Sequence, residues 1–152
     1  MLDRLLPQTV DNTFRGHWLA PWFLGVLVFA RTAMGLNTIF NGRSVAVTAD
    51  GIPLDRYAPD AARAVLSLFA IWGQAQVAFG LLGLVVLLRY RGLIPFVFAL
   101  LLFEHLGRRL ILAMLPIERT GSPPGFGVNV VLIALTVAGL ALSLWERGAG
   151  RR

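Results

Sequence analysis

Apolar residues dominate four stretches of the chain, His17 to Phe40, Arg63 to Leu88, Gly92 to Ile117 and Gly127 to Trp145, and polar residues collect between them. A helix rises about 1.5 Å per residue, so each stretch is long enough to cross a hydrocarbon core of ~30 Å, which takes ~20 residues. The pattern predicts four transmembrane helices. The connection "NGRSVAVTADGIPLDRYAPDAA" is long, with a turn signal at "ADGIP". Val45 and Val47 alternate with small residues just before that turn, which predicts a small hairpin, and Asp60 after Pro59 reads as the N-cap of the second helix. Only "RYRG" separates the second and third helices, so they must run antiparallel; "PIERTGSPPGFG" is a Pro- and Gly-rich third connection. The expectation is one all-α domain over residues 1–152, an integral-membrane four-helix up-down bundle with a long outer loop between helices 1 and 2. Residues 3 to 16 carry Leu5, Leu6, Val10 and Phe14 among polar positions, as a short interfacial N-terminal helix would.

Composition agrees with a membrane protein: 57% of the residues are hydrophobic and only 14% charged, far from the balance of a soluble domain. The N-terminus "MLDRLLPQTVDNTFRGH" has acids and a proline where a secretory signal needs an apolar core, so no cleavage is expected. Without cysteine, disulfides, thiolate metal sites, iron–sulfur clusters and thiol redox chemistry are excluded. The net charge of +6 rests on fourteen arginines and no lysine. They are spread along the chain without an aromatic-interleaved basic patch, so nucleic acid is not an expected partner. With the N-terminus inside, Arg4, Arg15, Arg89, Arg91, Arg147, Arg151 and Arg152 are cytoplasmic, against Arg43, Arg56, Arg63 and Arg119 outside. Trp18, Trp22, Tyr90 and Trp145 then mark the inner interface. This places both termini in the cytoplasm of a multi-pass protein of the bacterial inner membrane.

The third apolar stretch contains "LLLFEHLGRR", Leu100 to Arg109. At ~100° per residue, Glu104, Arg108, His105 and Arg109 fall within ~140° on one face, with Leu101 closing that face below. Each ionised group at mid-membrane costs ~2.5–3.5 kcal/mol on insertion scales, so the four must face the interior or another subunit. The i,i+4 spacing predicts a Glu104–Arg108 pair. Span one adds Arg31 near its middle and Asn37 and Asn41 further out; span two adds Gln74 and Gln76; span four adds Asn129, Thr136 and Ser143. Helices alternate in direction, so nearly all these groups share the outer half, which predicts a polar cavity open outward and sealed inward. Arg31, Asn37, Asn41, Gln74, Glu104, His105, Arg108 and Arg109 are its candidate ligand-binding residues. Three arginines against Glu104 leave two surplus positive charges. Either acids of the loops (Asp50, Asp55, Asp60, Glu118) or a partner subunit neutralise them, or an anionic or carbonyl-bearing ligand does.

His17 begins span one while His105 lies mid-span, about 18–20 Å away along the membrane normal, so a bis-histidine haem is not expected. With one histidine and one carboxylate in the cavity, no metal site is expected either, and no cofactor is assigned. Adjacent Glu104 and His105 suit an acid/base pair with the arginines as anion stabilisers, the enzyme alternative. A proton-coupled transporter is disfavoured, because the inner halves of the spans offer no polar path. "RTAMGLNTIFNG", Arg31 to Gly42, resembles the first helix of the DoxX-like group of small four-helix bacterial membrane proteins, and "GLLGLVVLLRYRGLIPFVFALLLFEHLGRRL" is similar in layout to its middle helix pair. That resemblance implies an accessory role in quinone-linked or other membrane redox complexes and transfers no catalytic residue. The leading expectation is a small membrane binding or accessory subunit that holds a quinone-like or anionic lipid-like ligand. Its other expected partners are the lipid bilayer and membrane-complex subunits or further copies of itself.

Overall fold

The structure, a computed structural model, describes residues 5, 6 and 11–145. Four long helices dominate: α1 (Ala20–Phe40), α2 (Pro59–Arg89), α3 (Ile94–Met114) and α4 (Gly125–Leu144). Proline stands at the first or second position of α1, α2 and α3, where its missing N–H costs nothing and its fixed φ favours the helix. That is why α2 begins at Pro59 rather than Arg63. Ala58, not Asp60, holds the cap position, and Asp60 sits in the first turn, where a carboxylate meets the positive end of the helix dipole. α3 stops at Met114 rather than Ile117, since Pro116 cannot donate and drives Leu115 out of helical geometry.

The described residues contain no strand. The expected hairpin at Val45 and Val47 is instead a helical turn over Gly42–Ser44 followed by a wider one over Val45–Ala49. Burial explains the correction: Ala46, Ile52 and Leu54 form one small core against Val65, Leu66 and Phe69 of α2, a one-sided contact that strand alternation would divide between two faces. The turn at "ADGIP" is present, with Gly51 at φ +70°, where a side chain would be strained. Of the interfacial helix expected over residues 3 to 16, positions 3, 4 and 7–10 lie outside the described residues, and Asp11 to Gly16 has no regular structure.

Consecutive long helices run antiparallel. Gly35 of α1 meets Gly73 of α2, Thr32 meets Gly80, and Val28 meets Gly83. A Cβ on Gly35 would stand 2.6 Å from the Gly73 carbonyl oxygen and 3.0 Å from the Val77 nitrogen, so these glycines let two backbones approach, as in tightly packed membrane helices. On α4, Gly139 is covered by the ring of Phe98 from α3. At the short-turn end the packing is solid: Leu24, Leu27, Val86, Ile94, Val97, Phe98 and Leu101 form the core. There the His17 N–H donates to the Leu142 carbonyl at 2.9 Å and the Gly92 N–H to that of Asp11 at 3.2 Å.

At the opposite, long-loop end the two long connections are joined: both the N–H and the hydroxyl of Thr120 donate to the Gly51 carbonyl, at 2.8 and 3.1 Å. Over its whole length α3 contacts α1 and α2 far less than those two contact each other. Three helices, α1, α2 and α4, are long and apolar enough to cross a membrane; α3 has the same 21 residues as α1 but includes Glu104, Arg108 and Arg109. The outer faces are apolar, with Trp22, Phe29, Phe40, Leu88 and Phe103 each about two thirds or more exposed.

Gly35→Val should destabilise the fold by about 1–3 kcal/mol, the usual penalty for overpacking. Gly107→Ala, at a position with no neighbour within 4 Å of the added carbon, should be neutral or stabilising by about 0.5–1 kcal/mol. Thermal unfolding of the two variants in detergent checks this; equal midpoints would contradict the close α1–α2 packing.

Candidate functional site

The polar face of α3 divides into a buried part and an open part. His105 is buried, Glu104 and Arg108 are half-buried and Arg109 is exposed. Arg31, only 5% exposed in the middle of α1, pairs through Nη2 with Glu104 Oε2. The same Nη2 lies 2.9 Å from His105 Nδ1 and 3.4 Å from its Nε2, while His105 Nδ1 is 2.7 Å from the Leu101 carbonyl. A guanidinium has only donors and a carbonyl only accepts. The carbonyl partner requires the proton on Nδ1, which donates to Leu101, and Arg31 Nη2 lies against the same imidazole, nearer Nδ1 than Nε2.

The expected Glu104–Arg108 pair therefore does not form; Glu104 pairs with Arg31 across the helix interface. An unpaired guanidinium as deeply buried as Arg31 would cost several kcal/mol, about 3–5 in measured cases, whereas Arg108 has another outlet. Its guanidinium carbon lies 4.4 Å from the ring centre of Trp72 on α2, and Trp72 is braced edge-on by Phe69 at 6.0 Å. Arg109 extends over Phe126 of α4, 5.3 Å from its ring centre. Both are cation–π distances.

Two cavities flank the half of α3 nearer the long loops. One, of about 350 Å³, lies on the α4 side, between His105, Arg108 and Arg109 of α3 and Phe126, Asn129 and Ile133 of α4. The other, of about 520 Å³, lies on the α2 side, bounded by Phe69 and Trp72 of α2, Phe103, Glu104 and Arg108 of α3, and Asp50 of the first loop. Arg119 of the third loop lines both. Leu101 is buried beneath His105, so neither continues into the solid core.

The loop acids sort themselves clearly. Asp55 pairs with Arg43 at 2.9 Å and Asp60 with Arg63 at 3.2 Å, both on the surface, where such pairs contribute little. Asp50 alone reaches the cavities. Its burial pushes the carboxyl above its ordinary value, against the opposing pull of Arg108 and Arg119. With Arg31 neutralised by Glu104, Asp50 faces Arg108 and Arg119 while Arg109 lines the α4-side cavity, so the three arginines keep two surplus positive charges.

Three residues expected in the cavity are elsewhere. Asn37 and Asn41 are exposed and bond to each other at 2.8 Å; Gln74 is exposed on the outer face of α2. Helical geometry accounts for this, since Asn37 lies ~120° around α1 from inward-pointing Arg31, and Gln76, ~200° around α2 from Gln74, is the buried glutamine. Trp72, Phe126 and Arg119 are site residues the sequence did not single out. The aromatics read as ordinary apolar positions, and Arg119 was placed with the loops. The signal for Arg119 was the rigid "GSPPG" that follows it and turns the connection back over the bundle. Thr136 and Ser143 are buried but bond their own helix backbone, to the carbonyls of Leu132 and Leu140. Among the described residues, no group of three or more histidines and acids is placed to hold a metal ion.

Because the native carboxyl of Asp50 holds its proton above the ordinary value of 3.8, the fold should be more stable below that pH and lose the contribution as pH rises through the raised value. Thermal midpoints measured upward from pH 3.8 should therefore fall, and Asp50→Asn should flatten this part of the profile. A wild-type profile no steeper than that of Asp50→Asn would contradict the placement.

Compared with protein-family models, curated proteins and solved structures, the chain matches none.

Proposed function

We propose that the protein is a small integral-membrane binding or accessory subunit, a four-helix up-down bundle of the bacterial inner membrane with both termini cytoplasmic. Its cavities beside α3 hold an apolar molecule with an anionic or carbonyl-bearing head, a quinone-like or anionic lipid-like ligand. The apolar outer faces of all four helices, which would be a severe liability in water, support insertion. The cost of Glu104, Arg108 and Arg109 is reduced by pairing, by stacking on aromatic rings and by reach toward the long-loop end. On this reading α3 is the fourth span, and the likeness to the DoxX-like group suggests service in a membrane redox complex.

One observation carries the ligand reading: the surplus positive charge is concentrated on Arg108, Arg109 and Arg119, around cavities whose walls are otherwise mostly apolar. The acid/base alternative finds less support. Glu104 is engaged by Arg31, and His105 is fixed between Leu101 and Arg31, which leaves neither poised to take a proton from a substrate. The same ion pair would have to break in each cycle of a proton-coupled transporter.

Full-length protein purified in mild detergent should carry a co-purified lipid or quinone visible by native mass spectrometry. The bound species should be depleted about tenfold or more in Arg108→Ala combined with Arg109→Ala, since two charge-assisted contacts of about 1.5 kcal/mol each would be lost. Equal, empty spectra for both proteins would contradict the proposal.

A further inference from the structure

The two cavities adjoin at the long-loop end of α3. Arg108, Leu112, Ile117 and Arg119 line both, and from these shared residues one branch extends along each flank of the helix. One branch descends between α3 and α4 past Asn129 and Ile133 to His105; the other descends between α3 and α2 past Ile111 and Trp72 to Phe103. Positive charge is concentrated at the junction and the long-loop end. The helix dividing the branches is also the one most weakly held by α1 and α2.

A ligand with a single tail can occupy one branch only. An anionic head bearing two chains fits the junction and both branches, with its head toward the surface and its chains toward the membrane centre, as a lipid of the outer leaflet stands. We infer that the site takes a diacyl anionic phospholipid, its phosphate between Arg108 and Arg119 and one acyl chain on each side of α3. The inference rests on the proposed binding function and narrows it. Arginine matches a phosphate with paired, charge-assisted donors, and with Glu104 engaged by Arg31, Asp50 does not balance the three arginines. The buried Arg31–Glu104–His105 cluster sits at the foot of the two branches, satisfied by its own contacts, so it limits how deep the chains reach without competing for the head.

The test uses full-length, delipidated protein in detergent, titrated by native mass spectrometry with four probes: dioleoyl phosphatidylglycerol, its single-chain lyso form, dioleoyl phosphatidylcholine and a short-chain ubiquinone. The expected result is one phosphatidylglycerol per chain, bound at least about tenfold tighter than the lyso lipid and the phosphatidylcholine. Arg119→Ala should reduce that preference for the anionic head. Each branch is then blocked separately, with Ala113→Trp on the α4 side and Gly107→Leu on the α2 side, where Gly107 has open space beside it. Either block should remove the advantage of the diacyl over the lyso lipid while leaving the thermal midpoint within a few degrees of wild type. Should one blocked variant unfold, the other carries the comparison. Equal binding of lyso and diacyl forms, or of phosphatidylcholine and phosphatidylglycerol, overturns the inference. Binding of ubiquinone but not phosphatidylglycerol overturns it while sustaining the proposed function, and no binding of any probe overturns both.

Discussion

An arginine in the middle of an apolar helix must find a carboxylate or an acceptor, and Arg31 finds both on a helix more than seventy residues away. That requirement fixes the rotation of α3 about its own axis, because Glu104 and His105 must both turn toward α1. Arg108 and Arg109 follow one turn later and are therefore directed to the two flanks of α3, toward Trp72 and Phe126. The charges in α3 thus have different jobs. Glu104 and His105 satisfy Arg31, and this frees Arg108 and Arg109 to face the cavities.

The bundle is asymmetric along its length for reasons visible in side-chain size. Toward the short turn, leucines, Phe98 and glycine notches bring the helices into direct contact, and the N-terminal segment ties itself to α4 and to the α2–α3 turn. Toward the long loops, α3 carries arginine where it would otherwise pack, and cavities open on both of its flanks. The loops bridge the gap through Gly51 and Thr120, and bring Asp50 and Arg119 over its mouth. Glycine at Gly51 is required by its positive φ, so the bridge depends on a residue with no side chain.

The helices were legible because hydrophobicity and length are local properties, and four long apolar stretches leave few alternatives to helix. Their ends were less legible, since a proline could mark either a boundary or a first turn, as at Pro59. The importance of Arg31, Glu104 and His105 was also legible from the cost of burying charge. Their pairing was not: the i,i+4 rule favours Glu104–Arg108 within one helix, and the competing partner depends on how α1 and α3 are rotated against each other. The same missing rotation misplaced Asn37, Asn41 and Gln74, polar residues that share a span with the site but not its face. Arg119 was harder to single out as a site residue, because loop positions carry no periodicity and the rigid "GSPPG" after it says that the connection turns back but not which side chain it brings inward.

The Arg31–Glu104 contact sets how α1 and α3 pack, and a double-mutant cycle of unfolding in mixed detergent measures it. Arg31→Met and Glu104→Leu, each of which leaves an opposite charge buried without its partner, should lose about 3–5 kcal/mol. The double variant should lose less than the sum of the two single losses, with a coupling energy of about 1–3 kcal/mol. Additive losses with no coupling would contradict the account.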